Sequence, residues 1–402
     1  MTDVALIAPY PGRRAALPSG VASYAERLAA ALGDQGVTVR VVAPEQDGEP
    51  AEASFGNVTV HRAFRRGPGA LPAAARAARR CGAPVVHLQY ETFLYGGPSS
   101  VVGVAPALAG LRRHRRGPVV TLHQVVDPSS VDHEFTRVHR VQVPPPLARA
   151  GLAALQHAVR SLAATTVVHE RAFERLVPDA VVVPHGLDAV PAARRPRGDD
   201  RLRQALGLDR GRLTALCFGF LSPYKGLEVA LEAAGIAGDA VQLVVAGGSH
   251  PRLAGRDPYA DDLRRRYGHA ARFVGYVPDD RVADWFGAAD VLLLPYPRPF
   301  ASSGPFAQAL GFGTPVLCSP ALAGCVGAPD LLAAPADPAG LAARLVRLAA
   351  DPSQLAALAA ATARLAAGRS WAEVARRHIA IYEEVLHAHR AAGRCVRPGK
   401  PG

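Results

Sequence analysis

The sequence predicts an α/β protein built from two doubly wound domains, each with a parallel sheet. A chain of 402 residues is long enough for two or three domains. Short runs of β-branched residues alternate with Ala- and Leu-rich amphipathic stretches, and one irregular stretch interrupts this alternation near the middle. A composition of 49% apolar and 20% charged residues is typical of globular proteins and excludes a wholly disordered or collagen-like chain.

The first half of the chain predicts a series of βαβ units. An apolar strand over 4–8 is followed by an amphipathic helix over 20–32. Further strands are predicted over 37–42, 85–87, 119–122, 166–168 and 181–183. Residues 189–198, rich in Pro, Arg and Gly, have neither the helical nor the strand period and indicate a linker.

The second half repeats the alternation. Strands are predicted over 213–218, 242–246, 272–275, 291–295 and 316–319, and helices over 225–237, 279–289 and 304–311. We therefore expect a first domain over residues 1–190, a second over 200–370, and a helix within 371–390 that crosses back to the first domain. Open α/β sheets bind ligands beyond the carboxyl ends of their strands, so we expect the substrates in a cleft between the two domains.

The basic charge favours an anionic small molecule over nucleic acid. Of the 46 basic residues only Lys225 and Lys400 are lysines, and no aromatic residues interleave with the arginines as a base-stacking surface requires. The net charge of +12 suits an anionic substrate or a weak association with an anionic membrane surface. We expect no nucleic-acid partner.

Cysteine usage and the apolar runs indicate a cytoplasmic protein. The five cysteines form no C-x-x-C pair, and no His/Asp cluster has metal-ligand spacing, so no metal and no cofactor are expected. The N-terminus has no basic signal region, and the longest apolar run, over 101–111, is about half of the ~20 residues that a membrane span needs.

Lys225 is the first candidate for binding an anion. The sequence over 218–226 predicts a strand that ends at a glycine and a helix that opens with this lysine. A helix amino terminus repels a cation unless an anion also lies there, so Lys225 suits a phosphate. The segment is not a Walker A loop, because Gly226 follows the lysine. A solvated surface lysine is the alternative.

The turn over 299–305 is a second candidate, because Ser302, Ser303 and Gly304 precede a predicted helix and can cradle a phosphate with hydroxyls and free amides. Gln308 lies one turn further along this helix, where its amide could reach a hydroxyl of a bound nucleotide. Simple helix capping, and a Gln308 satisfied by neighbouring backbone, are the alternatives.

In the first half, Gly20 begins the helix that follows the first strand. The turn at this helix amino terminus is expected to bind phosphate, and an ordinary helix cap is the alternative. His87 and His123 are expected at strand ends, where each could bind a sugar or move protons, although a lone histidine is more often structural. The neighbours expected with them at the acceptor or sugar site are Tyr90, Glu91 and Gln124.

The ordered set of motifs resembles the family 4 glycosyltransferases, which are retaining nucleotide-sugar transferases of GT-B fold, over essentially the whole chain from Ala5 to Leu386. The segments that carry the resemblance are 19–20, 121–123, 183–188, 218–226, 245–248, 273–278, 289–296 and 313–316. The resemblance implies catalytic roles for His123 and Lys225, and a diphosphate site at Gly20, Lys225, Ser302, Ser303 and Gly304. It further implies nucleoside contacts from Tyr276, Val277, Asp279 and Gln308.

The sequence departs from the family pattern at three positions. The family's two glutamates fall on Phe300 and Gln308, and its arginine after the first glycine of the second domain falls on Phe220. Phe300 is therefore expected beside the sugar or acceptor. The expected activity is metal-independent transfer of a sugar, with retention, from a nucleoside diphosphate to a hydroxyl acceptor. The alternatives are a nucleotide-sugar epimerase, a sugar phosphorylase and a catalytically silent partner protein.

Overall fold

The computed structural model describes residues 3–12, 20–112, 117–138, 141–188, 200–249, 257–297, 303–322, 331 and 337–394. The chain divides into two compact units. Unit 1 comprises Met1–Gly186 and Trp371–Gly402, and unit 2 comprises Leu187–Ser370. The boundary expected between residues 190 and 200 falls mostly on 189–199, which lie outside the described residues.

Unit 1 contains an eight-stranded sheet in the order β3-β4-β2-β1-β5-β6-β7-β8. Its strands are β1 Asp3–Ile7, β2 Thr38–Pro44, β3 Glu52–Phe55, β4 Val58–Phe64, β5 Val85–Tyr90, β6 Val119–Leu122, β7 Thr165–Val168 and β8 Val181–Val182. All neighbours are parallel except β3 and β4, which form an antiparallel hairpin that the sequence pattern did not predict. Three of the four β3 residues are exposed, so this edge strand has no apolar signal.

The helices of unit 1 bury the faces of this sheet. They are α1 Gly20–Asp34, α2 Ala70–Arg80, α3 Val104–Arg112, α4 His133–Val138, α5 Pro145–Leu162 and α13 Trp371–Arg394. Helix α13 packs on α1, where the Trp371 ring lies 5.2 Å from the Tyr24 ring and the Gln35 side chain donates to the Ala372 carbonyl. Apolar clusters, including Leu6 with Leu28 on one side and Ile7 with Leu108 on the other, form the core.

Unit 2 contains a five-stranded parallel sheet in the order β11-β10-β9-β12-β13. Its strands are β9 Leu213–Phe218, β10 Val241–Ala246, β11 Ala271–Gly275, β12 Val291–Leu294 and β13 Val316–Cys318. Its helices are α6 Asp200–Ala205, α7 Leu227–Ala237, α8 Pro258–Tyr267, α9 Val282–Ala288, α10 Gly304–Phe312, α11 Pro338–Ala350 and α12 Pro352–Ala366. Within the described part of the chain, no helix is both long and apolar enough to cross a membrane.

Candidate active site

The strand order of unit 2 creates a switch point between β9 and β12. Strand β9 pairs with β10 on one side and with β12 on the other, so the connections after β9 and after β12 diverge. Such a point leaves an open crevice beyond the carboxyl ends of the strands, where open α/β sheets bind ligands. The turn that carries Lys225 follows β9, and helix α10 follows β12 after a loop.

Lys225 is a buried cation at this switch point. Its side-chain Nζ donates to the Phe218 carbonyl at 2.9 Å, and the residue is 4% exposed. Burial lowers the pKa of Lys225 to about 8, an effect only partly opposed by Cys217. The residue lies in the 3-10 turn Pro223–Lys225, and α7 begins at Leu227 with Gly226 as its N-cap. The expectation that Lys225 opens the helix was therefore wrong by two residues, because Gly226 in the left-handed conformation separates the turn from the helix.

Two glycines let the loops at the switch point come together. A Cβ atom on Gly219, whose φ is +90°, would lie 2.7 Å from Lys225 Nζ and 3.4 Å from a ring carbon of Pro305 in α10. A Cβ atom on Gly226 would lie 2.3 Å from the Pro295 carbonyl oxygen beyond β12. The Lys225 ammonium and the first turn of α10 are thus near neighbours because neither glycine has a side chain.

The amino terminus of α10 is capped by a serine side chain, which is the geometry of the simple-capping alternative. Ser303 is the N-cap, its hydroxyl accepts from the Phe306 amide at 3.3 Å, and it lies 3.2 Å from the Tyr296 hydroxyl. Gly304 is exposed, and a Cβ atom there would meet nothing within 4 Å. Ser302 and Phe300, also expected at this turn, lie outside the described residues.

The residues expected near the nucleoside have different environments. Tyr276 is 52% exposed just beyond β11, and Asp279 is exposed in the turn that leads to α9. Gln308 is half-buried on α10, and no hydrogen bond of its side chain is found among the described residues. Val277 is buried in the hydrophobic core of unit 2, so its side chain packs against apolar neighbours.

In unit 1, the structure corrects the expected position of His87. Strand β5 runs on to Tyr90, so His87 lies inside the strand, paired with Leu6, and is completely buried. Its ring nitrogens lie 2.8 Å from the Tyr382 hydroxyl and 2.8 Å from Thr121 Oγ1. His87 is a core residue with satisfied nitrogens, and the expectation that it faces a sugar or acceptor at a strand end was wrong.

His123 lies directly after β6, as predicted, but both of its ring nitrogens face protein groups. Nε2 lies 2.7 Å from Gln89 Oε1, and Nδ1 lies 3.3 Å from His169 Nε2. Burial, together with the neighbouring histidines, holds the pKa of His123 well below its usual range. Burial also lowers the pKa of His169 to about 3, so both imidazoles are neutral near pH 7.

Sequence reasoning missed most of the side chains around His123. The Tyr24 ring packs edge-on against the His123 ring at 4.8 Å and also contacts the rings of His169 and His185. Tyr24 comes from α1, whereas the two other histidines follow β7 and β8. Their only signal in the sequence is that each histidine stands at the end of a short apolar run, which the prediction used for His87 and His123 but not for His169 or His185.

The other residues expected in unit 1 surround the carboxyl ends of β5 and β6. Tyr90 and Gln124 line a small cavity with apolar walls from Leu122, Leu155 and Val159. Tyr90 is buried and Glu91 and Gln124 are half-buried. Gly20 is exposed at the first position of α1, with nothing within 4 Å of a Cβ atom. The described residues contain no group of three or more His, Cys, Asp or Glu placed to hold a metal ion.

Comparisons with known proteins match both halves of the chain. A family model described as Glycosyl transferases group 1 matches residues 212–351, and one described as Glycosyltransferase Family 4 matches residues 18–190. D-inositol 3-phosphate glycosyltransferases are similar: that of Streptomyces griseus is 30% identical over 58% of this chain and 51% of its own length. That of Streptomyces avermitilis is 34% identical over 47% of this chain and 43% of its own length. The chain thus spans about half the length of these curated relatives.

Solved structures share the fold. Sucrose-phosphate synthase from Thermosynechococcus elongatus superposes with a TM-score of 0.71 at 21% identity, covering 96% of this chain and 100% of that one. HepE from Anabaena, in complex with UDP-glucose, gives a TM-score of 0.65 at 16% identity, covering 96% and 100%.

The two doubly wound units define an α/β protein of the GT-B class. With both halves matched by glycosyltransferase models, the chain belongs to the group 1, family 4 glycosyltransferases.

Proposed function

We propose that this protein transfers a sugar from a nucleoside diphosphate sugar to a hydroxyl acceptor, with unit 2 binding the donor and unit 1 the acceptor. The family models and the curated relatives are glycosyltransferases, which supports transfer over the alternatives of an epimerase, a phosphorylase or a silent partner. The similar HepE structure is a complex with UDP-glucose, which supports a nucleotide-sugar donor.

The observation that carries the proposal is the buried ammonium of Lys225. Burial without a carboxylate partner is costly for a cation, and the described contacts of its Nζ consist of one hydrogen bond to a carbonyl. A diphosphate at the β9/β12 switch point would supply the missing negative charge. The first turn of α10, next to Gly219, would add a favourable helix dipole and the Gly304 amide.

In the proposed reaction, the bond between the anomeric carbon and the diphosphate oxygen breaks while the acceptor oxygen bonds to the same carbon on the same face. The acceptor proton passes to an oxygen of the leaving phosphate. The configuration at the anomeric carbon is therefore retained. Lys225 and the α10 amide would stabilise the negative charge that develops on the diphosphate, and preorganised donors of this kind typically contribute about 3–4 kcal/mol each.

Several finer features belong to the same proposal. No metal is required, because Lys225 and the helix terminus take the place of a cation at the diphosphate. Tyr276 and Gln308 would contact the nucleoside, and Tyr90, Glu91 and Gln124 the acceptor. We place the reaction in the cytoplasm, which suits the free thiols of Cys81, Cys217 and Cys318. Weak association with anionic membranes stays a prediction from the net charge.

The direct test has two stages. A thermal-shift panel of UDP, GDP, ADP, CDP and dTDP, with the corresponding nucleotide sugars, identifies the donor. We expect one nucleoside diphosphate to raise the melting temperature and its nucleoside not to do so. Turnover of the matching nucleotide sugar with a hydroxyl acceptor is then followed by NMR of the product anomeric proton. Stabilisation by none of the panel, or a product of inverted configuration, would contradict the proposal.

A further inference from the structure

A chain of buried polar side chains crosses the sheet of unit 1 and ends at His123. From Tyr382 on α13, it passes to His87 and Gln89 on β5, then to His123 after β6 and His169 after β7. The two β5 residues are two positions apart and so lie on one face of the sheet. Both are completely buried. Each link of this chain must be a hydrogen bond or leave a polar atom unsatisfied.

The His169 end of this series of side chains determines which ring nitrogens carry the protons. His169 Nδ1 lies 2.9 Å from the Val183 carbonyl, which can only accept, so Nδ1 carries the proton. A neutral His169 then has a bare Nε2. The hydrogen bond between that atom and His123 Nδ1, 3.3 Å away, requires the proton to be on His123 Nδ1. A neutral His123 consequently has a bare Nε2 that must accept a hydrogen bond.

Gln89 is the only side chain placed by the described contacts to donate that bond. In the structure its Oε1 faces His123 Nε2 at 2.7 Å and its Nε2 faces His87 Nε2 at 3.1 Å. If the Gln89 oxygen faced His123, a neutral His123 would carry its proton on Nε2, and its bare Nδ1 would face the bare Nε2 of His169 with no proton between them. Hydrogen bonds at both nitrogens would then require a buried imidazolium. Turning the amide exchanges two atoms of nearly equal size and gives every neutral ring a complete set of hydrogen bonds.

We propose that Gln89 is a positioning residue that turns its amide nitrogen toward His123 and so holds His123 in the neutral Nδ1–H tautomer. The same orientation places the amide oxygen beside His87, which then carries its proton on Nε2, shared with Thr121 Oγ1, and accepts from the Tyr382 hydroxyl at Nδ1. His123 therefore has no ring nitrogen free to remove a proton from an acceptor. The statement about an acceptor rests on the proposed function, whereas the assignment of the tautomers does not.

The groups around the chain favour its neutral form. The side chains that lower the pKa of His123, after burial itself, are His169, His185, His87 and His378. Tyr24 and Tyr382 face the same rings, and burial raises the pKa of each hydroxyl, so both stay protonated. A proton added to His123 would thus lie among other imidazoles, and none of the groups that shift the pKa of His123 carries a negative charge.

Long-range proton–nitrogen NMR of the full chain, labelled with ¹⁵N, tests the tautomers directly. We expect His123 and His169 to show a protonated Nδ1 and a bare Nε2, and His87 the reverse, at neutral pH. Single histidine substitutions assign the signals. An Nε2–H tautomer of His123, or a doubly protonated His123, in the unmodified protein would overturn the proposal whether or not any variant folds.

Variants then test whether Gln89 is the cause. Gln89→Glu replaces the donor by a carboxylate that only accepts, so the His123 nitrogen signals should change to the Nε2–H or doubly protonated pattern. Thr121→Val removes a different partner of His87 and should leave the His123 tautomer unchanged. An unchanged His123 pattern in folded Gln89→Glu, or an equal change in Thr121→Val, would overturn the assignment to Gln89.

The catalytic consequence has its own readout. We expect the pH profile of kcat/KM in the unmodified protein to lack a limb near pH 6.5, because His123 stays neutral and both of its ring nitrogens are engaged by Gln89 and His169. A limb near pH 6.5 that is assigned to His123 would contradict this consequence. Absence of transfer by the unmodified protein would contradict the proposed function and leave the NMR result standing.

Discussion

Lys225 Nζ lies 2.7 Å from the point that a Cβ atom on Gly219 would occupy. A methyl group there would push the ammonium away from the β9/β12 switch point, and the φ of +90° at Gly219 adds backbone strain. The position of the lysine ammonium therefore depends on the absence of a side chain at Gly219, six positions earlier in the sequence.

Gly219→Ala should weaken binding of the nucleoside diphosphate by about tenfold or more, because displacing the ammonium removes a charge-assisted contact of roughly 1.5–3 kcal/mol. Calorimetric titration measures the loss. Gly238→Ala is the matched control, since Gly238 also has a positive φ, +58°, but a Cβ atom there would meet nothing within 4 Å. Equal losses of affinity in the two variants would mean that strain alone, and not the position of Lys225, explains the effect.

Nucleotide binding should depend on pH through Lys225. Its pKa in the free protein is about 8, and a bound diphosphate would raise it, so binding favours the protonated amine. Affinity should be insensitive to this group below pH 8 and fall by up to about tenfold per pH unit above it. Titrations between pH 7 and 9.5 measure the slope. A Lys225→Met variant that keeps the same slope would show that another group is responsible.

Gln308 should contribute to nucleotide affinity through its side-chain amide. Gln308→Ala should weaken binding by about 1 kcal/mol, while Gln308→Glu should tighten it or leave it unchanged, because a charged acceptor binds a ribose hydroxyl more strongly. Calorimetry and melting temperatures are measured together. Gln204→Ala, on the exposed side of α6, serves as the control. A Gln308→Ala variant with a lower melting temperature but normal affinity would assign this side chain to stability.

Asp290 should affect the stability of the protein and not its affinity for the donor. Its carboxylate pairs with Arg203 at 2.5 Å and accepts from the Thr214 amide, so it ties α6 to the amino-terminal side of β9 and β12. Asp290→Asn leaves a mostly buried guanidinium without its partner and should cost about 2–3 kcal/mol of unfolding free energy. Denaturant unfolding measures this. A loss of nucleotide affinity in protein that is still fully folded would give Asp290 a second role.

Transfer activity should survive chelation. If Lys225 and the α10 amino terminus neutralise the diphosphate, saturating EDTA should change the initial rate by no more than about twofold. The rate is compared before and after addition of excess Mg²⁺ or Mn²⁺ to chelated protein. Loss of activity on chelation, with recovery by either ion, would refute the metal-independent part of the proposal.

Much of the fold could be predicted because buried parallel strands are apolar and short. β6 and β9 begin and end where the sequence pattern places them, at Val119–Leu122 and Leu213–Phe218. β5 was predicted three residues too short, since Gln89 is polar and yet completely buried. That error placed His87 at a strand end. A buried polar residue is satisfied by tertiary partners, here His123 and His87, which no local pattern reveals.

The candidate site was predicted as a set of turns, and the turns could be predicted better than their contacts. Lys225 and Ser303 do follow β9 and β12, because glycine and proline mark the strand ends. Pro295 and Pro305, which come from distant parts of the sequence, approach Gly226 and Gly219 near Lys225, and no local pattern reveals this. His169 and Tyr24 were missed for the same reason, since only the sheet order brings them to His123.

Calorimetric binding of the matching nucleoside diphosphate and of its nucleoside, to the unmodified protein and to Lys225→Met at pH 7, tests the central claim most directly. We predict that Lys225→Met weakens binding of the diphosphate by at least about tenfold and binding of the nucleoside by less than about twofold. The same variant should melt at a higher temperature without ligand, because the buried charge is gone. Equal weakening of the two ligands, or unchanged diphosphate binding, would contradict a diphosphate site at Lys225.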